Sequence, residues 1–260
     1  MKVVLFCGGL GTRLGEYSET IPKPMVNIGY RPIMWHLMRY YAHYGHKEFI
    51  LCLGYKGDYI KKYFLEYNEC LSNDFVYEKG GKDIHLCNHD IEDWKISFVD
   101  TGLNANLGQR LLAVREYLDG EEEFMANYSD GLSDLDLNVY LDHFHKKNKV
   151  AGFLCVRPSQ SFHLVNFDEN EDVAGLLPVG KSEVWINGGF FVFKKEVFNY
   201  MKDGEELVQE PFYRMIAENQ VIGYKNPGFW ACIDTMKEKK LFDEMYATGN
   251  TPWMAWNHML

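Results

Sequence analysis

Short apolar runs alternate with helical patterns through the first half of this chain, and that rhythm restricts the fold more than any other feature of the sequence. Compact stretches rich in Val, Ile, Leu and Phe read as strands, and the 3.6-residue periodicity between them reads as helices. Strands are predicted near 2–7, 48–54, 95–100 and 123–128, with helices near 32–45, 57–68, 107–119 and 136–147. Such repetition builds a mostly parallel sheet covered on both faces and joined by right-handed crossovers. The expected fold class is therefore α/β, a Rossmann-like sheet flanked by helices. Ligands on such sheets bind outside the carboxyl ends of the strands.

The rhythm breaks at 69–94, where Asn73-Asp74, Gly80-Gly81 and Asn88 mark turns in a polar excursion expected to form a small β hairpin or arm. Beyond it, Ala151–Arg157 and Trp185–Phe193 read as strands, Pro211–Gln220 as a helix and Lys237–Ala247 as a charged amphipathic terminal helix. No linker, repeat or low-complexity segment intervenes, and 260 residues suffice for one large core, so a single domain over 1–260 is expected.

A formal net charge of −10 argues against broad binding of nucleic acid or anionic membrane, both of which need excess cations. No run of about 18 apolar residues suggests a membrane span, and the apolar N-terminal stretch is too short for a signal peptide and reads as a strand. The six cysteines lack paired spacing, and Cys7, Cys52, Cys155 and Cys232 lie in apolar strand-like runs, as reduced buried cysteines do. A cytoplasmic location is expected.

The first strand, Val3-Val4-Leu5-Phe6-Cys7, runs into Gly8-Gly9-Leu10-Gly11-Thr12-Arg13-Leu14, with Pro22-Lys23-Pro24 behind. Glycines after a strand let backbone N–H groups approach a polyphosphate, and a guanidinium and an ammonium then neutralise its charge. The flanking prolines restrict the approach of Lys23 and reduce the entropy lost on binding. The Walker spacing does not fit, and Leu14 stands where the dinucleotide fingerprint needs glycine. Glycine turns are also ordinary punctuation, so the two cations carry the inference. The N-terminal stretch is read as a nucleotide site.

These residues resemble the sugar-phosphate nucleotidyltransferases, whose signature reads G-G-x-G-T-R-L followed by P-K-P. Further blocks fall in the family's order, among them Gly54-Tyr55-Lys56-Gly57, Val99-Asp100-Thr101-Gly102, Tyr128-Ser129-Asp130-Gly131, Trp185-Ile186-Asn187-Gly188-Gly189 and Gly228-Phe229-Trp230 with Asp234-Thr235. The resemblance covers nearly the whole chain. It implies a nucleotidyltransferase (GT-A-like) sheet, with nucleotide binding over about 1–135 and acceptor binding over about 136–260. The implied partners are small molecules, a nucleoside triphosphate and a sugar phosphate, and because family members assemble, a homo-oligomer is expected. The implied reaction is cytidylyl transfer from CTP to glucose 1-phosphate; UTP, another phosphate acceptor, and a non-catalytic nucleotide binder stay open as alternatives. A dehydrogenase is disfavoured, since Gly54-Tyr55 stands where an acidic residue would end the second strand.

On this resemblance Arg13 and Lys23 are the catalytic candidates, acting by charge on the transferred phosphate. The nucleotide is expected to touch Phe6, Cys7, Gly8, Gly9, Leu10, Gly11, Thr12, Arg13, Lys23, Arg110 and Ser129. Asp130 follows a strand and should stand at the ligand edge, and Asp234 is its natural partner. The two are assigned to Mg²⁺, which prefers carboxylate oxygens together with water and substrate phosphate. In the acceptor half, Leu177-Pro178-Val179 stands where family members carry Glu-Lys-Pro, so His163, Lys181, Asn187 and Gly188 are the acceptor-binding candidates. The paired glycines Gly188-Gly189 are read as allowing close approach of a sugar, and Trp185 as a core residue. His85, Cys87 and His89 alternate as zinc ligands might along one strand, but no second ligand cluster follows and a polar hairpin face explains them equally well.

Overall fold

The computed structural model describes residues 1–9, 21–158 and 162–257. Four parallel strands form one side of an eight-stranded sheet: β1 (Val3–Phe6), β2 (Glu48–Leu53), β5 (Lys95–Asp100), which ends it, and β6 (Glu123–Tyr128). Between them come α1 (Ile33–His43), α2 (Gly57–Leu65), the hairpin β3 (Phe75–Glu78) and β4 (Asp83–Leu86), and α3 (Leu107–Ala113). Alternate residues of the central strands enter two separate cores. Val3, Leu5, Phe49, Leu51 and Met125 pack on one side; Val4, Phe6, Ile50, Phe124 and Ala126 pack on the other. Burial on both faces is why these strands read as continuous apolar runs.

Helix α1 is hydrophobic nearly all round, with nine of its residues buried. Its one buried imidazole, His36, donates from Nε2 to the Ile28 carbonyl (3.0 Å) and accepts from Trp253 Nε1 (3.4 Å), which ties the end of the chain to the first helix. Burial, reinforced by the Arg31 charge, lowers its pKa to about 4.

The second half opens with β7 (Gly131–Ser133), α4 (Leu137–Lys147) and β8 (Ala151–Val156). An outer hairpin follows, β9 (His163–Phe167) and β10 (Val173–Pro178), then β11 (Ile186–Asn187), β12 (Phe191–Lys194), α5 (Glu210–Ala217), β13 (Val221–Asn226), β14 (Trp230–Cys232) and α6 (Met236–Ala247). The large sheet runs β11-β8-β12-β6-β1-β2-β5, with β13 also paired to β8. Strands β11 and β12 pair antiparallel to β8, whereas β13 runs parallel to it.

The single strand expected over Trp185–Phe193 is two strands. Gly189 (φ 78°) and Phe190 (φ 50°) both enter the left-handed region and break it. Buried Asn127 on β6 supports the break by accepting from the Phe190 N–H (2.9 Å). Trp185 is not in the core; it is half-buried, with the Arg157 guanidinium 4.2 Å and Lys225 Nζ 5.0 Å from its ring centre.

The excursion at 69–94 does contain a hairpin. It is anchored by a buried ion pair between Arg31 and Asp90 (3.1 Å) and by Arg31 donating to Ser72 Oγ (2.8 Å) and to the Asn68 carbonyl (2.8 Å). His85 faces Glu78, and His89 faces Glu69 and Glu92. Among the described residues no group of three metal-ligating side chains forms, so the zinc reading finds no site. No helix among the described residues is long and apolar enough to cross a membrane.

Candidate active site

A cleft of about 530 Å³ opens at the carboxyl ends of β1 and β6. Of the residues expected at the nucleotide and metal sites, Phe6, Cys7, Gly8, Gly9, Lys23, Arg110, Ser129, Asp130 and Asp234 line it. Leu10, Gly11, Thr12 and Arg13 lie outside the described residues.

Lys23 opens a short 3₁₀ turn, Lys23–Met25, entered through extended Pro22 (φ −65°) and closed by the Val26 N–H on the Lys23 carbonyl (3.2 Å). Its ammonium lies between two carboxylates that are remote from it in sequence. Asp130 Oδ2 is 2.5 Å away, and Asp234 Oδ1 accepts from the same nitrogen. The small antiparallel ladder of β7 and β14 pairs Gly131 with Cys232, and the Ile233 N–H donates to the Asp130 carbonyl (2.9 Å). That ladder brings Asp234 level with Asp130. Just beyond it, Thr235 caps α6 in a capping box with Glu238, which fixes where the strand ends. Burial opposes the Lys23 charge, but the two carboxylates outweigh it and raise its pKa above the ordinary lysine value.

The glycines differ. Among the described residues nothing lies within 4 Å of where a β-carbon on Gly9 would stand, which leaves that position available to a ligand. A β-carbon on Gly8 would collide with the Arg110 guanidinium, and one on Gly54 would lie 2.9 Å from it. Arg110 is buried and donates to the carbonyls of Gly8 (3.1 Å), Leu53 (3.0 Å) and Leu103 (3.4 Å) and to Thr101 Oγ1 (2.7 Å). It lines the cleft as a brace joining the ends of β1 and β2 to the 101–103 loop. Ser129 acts similarly, its hydroxyl donating to the Phe6 carbonyl (2.7 Å). Burial pushes the Cys7 thiol up to about 12, so it stays protonated and is no nucleophile.

One wall of the cleft is the stretch Leu103–Leu107. Asn106 caps α3 by accepting from the Gln109 N–H (2.8 Å), while its amide donates to the Gly204 carbonyl (3.0 Å). Gly108 packs so closely on the Glu205 carbonyl that no side chain fits. The 203–207 turn is thereby held against the wall, and Glu206 lines the cleft beside Tyr128.

The acceptor candidates behave differently. Asn187 donates to the Tyr128 hydroxyl (3.4 Å) and so reaches the rim of the cleft. Gly188 is buried: a β-carbon there would lie 2.8 Å from Val156, and its carbonyl accepts from Trp230 Nε1 (2.9 Å). A β-carbon on Gly189 would collide with Asn127. These paired glycines therefore make room for the protein's own side chains, Val156 beside Gly188 and Asn127 beside Gly189. His163 and Lys181 are exposed on and beside the outer hairpin and do not line the cleft. Sequence reading missed Tyr128, although it stands in a matched block, and Glu206, which no motif marks.

A family profile described as nucleotidyl transferase matches residues 2–239. The chain belongs to that family. It is 36% identical over 259 residues to glucose-1-phosphate cytidylyltransferase of Salmonella typhi, covering 98% of this chain and 100% of the relative. It is 35% identical to a probable glucose-1-phosphate cytidylyltransferase of Bacillus subtilis (strain 168), over 98% of this chain and 100% of the relative. A solved structure of UDP-glucose pyrophosphorylase complexed with UDP-glucose superposes with a TM-score of 0.68 at 15% identity, covering 95% of this chain and 98% of the other. That likeness bears on the nucleotidyltransferase fold alone. The expected α/β architecture and the expected family both hold.

Proposed function

We infer that this nucleotidyltransferase transfers the cytidylyl group of CTP to glucose 1-phosphate, releasing pyrophosphate and forming CDP-glucose. The choice of CTP and glucose 1-phosphate rests on full-length identity to relatives of that name. The observation that carries the chemistry is the Lys23 ammonium set between Asp130 and Asp234 in the cleft that Gly8 and Gly9 also line.

The triphosphate lies along Gly8 and Gly9, in the nucleotide half of about 1–135, and the sugar phosphate enters from the half of about 136–260. An oxygen of the sugar phosphate attacks the α-phosphorus in line as the bridging bond to the β-phosphate breaks, and its electron pair leaves on pyrophosphate. The attacking oxygen is already anionic, so the chain needs no general base and works by positioning and charge. The role assigned to Lys23 is to neutralise the α-phosphate and the incoming phosphate, and the role assigned to Arg13 is to stabilise the charge developing on the transferred and leaving phosphates. Asp130 and Asp234 offer only carboxylate oxygens directed to one point, a donor set suited to a hard cation that also keeps water and phosphate ligands, and these residues would hold Mg²⁺. When bound, Mg²⁺ supplies charge neutralisation on the triphosphate.

The working form is a homo-oligomer, supported by the exposed Phe75, Val76, Tyr77 and Ile84 of the β3–β4 hairpin, and the six free cysteines support a cytoplasmic setting. A second reading keeps the chemistry but changes the acceptor, favoured by Leu177-Pro178-Val179 standing where family members carry Glu-Lys-Pro. Pyrophosphate release with Mg²⁺ and glucose 1-phosphate, comparing CTP, UTP, ATP, GTP and dTTP, tests both. Turnover confined to CTP is expected. Turnover with UTP revises the base, and silence with every nucleotide despite calorimetric CTP binding overturns the acceptor.

A further inference from the structure

Three acidic side chains line the cleft among the described residues, and two of them, Asp130 and Asp234, are engaged by Lys23. The third is Glu206. It lies on the 203–207 turn, whose position is set by Asn106 donating to the Gly204 carbonyl and by the tight packing of Gly108 on the Glu205 carbonyl. One carboxylate oxygen, Oε1, accepts from the Leu207 N–H (3.0 Å), and Leu207 itself is fully buried. The carboxylate is therefore held by its neighbour's backbone on a packed support.

A carboxylate repels phosphate, so Glu206 faces an uncharged part of whatever enters. Its cleft neighbour is Tyr128, whose hydroxyl accepts from Asn187 Nδ2 at 3.4 Å. Asn187 lies on β11, in the half of the chain that carries the acceptor, and His163 and Lys181 do not reach the cleft. Hydroxyl groups are the donors that a pyranose ring offers, and a carboxylate held in place is a strong acceptor for them.

Resting on the reaction inferred above, we propose that Glu206 determines acceptor specificity by accepting a hydrogen bond from a ring hydroxyl of the sugar phosphate, next to the Tyr128–Asn187 pair. A hydrogen bond to a charged group contributes about 10- to 100-fold in affinity or rate, and sites built around one discriminate strongly against the analogue lacking the donor.

The test measures kcat/KM with saturating CTP for glucose 1-phosphate and its 2-, 3-, 4- and 6-deoxy analogues, in the parent and in Glu206→Gln. The parent should lose about 10- to 100-fold on at least one deoxy acceptor. Glu206→Gln should lose a similar factor on glucose 1-phosphate yet no longer distinguish that analogue, with the KM for CTP unchanged. Glu206→Asp, which keeps the charge on a shorter stem, should recover part of the discrimination and serves if the glutamine variant does not fold. Equal losses on every acceptor, at the parental ratios, would overturn the assignment, as would a change in the CTP to UTP preference, which would move Glu206 to the nucleoside. A parent that ignores glucose 1-phosphate altogether overturns the reaction itself, and the assignment with it.

Discussion

Two glycine pairs mark the two halves of the molecule, Gly8-Gly9 at the end of β1 and Gly188-Gly189 between β11 and β12, and they make room for different things. Under Gly8 lies Arg110, and beside Gly188 and Gly189 lie Val156 and Asn127. Of the four, Gly9 alone meets no described residue within 4 Å of a β-carbon position. A glycine in a recognisable motif is therefore as often a place where the protein's own side chain passes as a place where a ligand does. The first half of the chain combines a packed and an unpacked glycine within two residues, whereas the second half uses both members of its pair for packing.

The largest effects should fall in the first half of the chain. Lys23→Ala is expected to lower turnover about 10²-fold or more, because it removes a cation from the position where negative charge is transferred. Pyrophosphate release measured beside thermal unfolding checks this, and a variant with near-parental rate would show that the Lys23 charge is structural. The glycines should then separate by kind. Gly8→Ala must displace a buried guanidinium with four hydrogen-bond partners, which costs about 3 kcal/mol on the scale of a broken buried network. Gly9→Ala should unfold like the parent while weakening nucleotide binding. Denaturant titrations and CTP calorimetry on both variants would break the comparison if the two behaved alike.

The fold of the first half is legible because strands buried on both faces leave an unbroken apolar signature, and β1, β2 and β6 fall where that signature lies; β5, at the sheet's edge, is only partly buried. Legibility fails in the second half for physical reasons that can be named. Hairpin β9–β10 exposes Val165, Phe167, Val173 and Leu176 and carries a register shift at Asn166/Phe167, so no regular alternation announces it. The run Trp185–Phe193 is apolar throughout, and nothing in composition says that Phe190 takes a positive φ; that is imposed by Asn127 from a neighbouring strand. At the site, Lys23, Asp130 and Asp234 stood out because each sits in a recognisable block. Glu206 did not, since a charged pair in a turn reads as solvated surface until the fold packs that turn against the cleft wall.

The seam between the halves can be probed by pH. His36 bonds Trp253 from the far end of the chain and is neutral in the fold, with its pKa lowered to about 4 from 6.5. The unfolded chain takes up a proton as pH falls through 6.5 while the folded chain does not. The contribution of neutral His36 is therefore complete above pH 6.5 and is lost progressively down to about pH 4, amounting to roughly 3 kcal/mol there. Replacing His36 by Gln removes the titration, so the pH dependence of unfolding between 6.5 and 4 should flatten by that amount. A parental slope in the variant would mean that other groups set the acid limit.

The smallest effects should come from the two acceptor candidates that the sequence suggested and the cleft leaves out. His163 pairs across the hairpin with Pro178, Lys181 closes a short turn beyond it, and both side chains are exposed. Exposed positions without a special backbone role change stability by less than about 0.5 kcal/mol when substituted. His163→Ala and Lys181→Ala should accordingly leave the KM for the sugar phosphate within about twofold of the parent, less than a tenfold step in free energy of 1.4 kcal/mol. A tenfold rise in that KM with kcat unchanged would instead mean that the outer hairpin folds over the acceptor during turnover. The second half of the chain would then rely on a moving element, in contrast to the buried Arg110 and Ser129 braces behind β1.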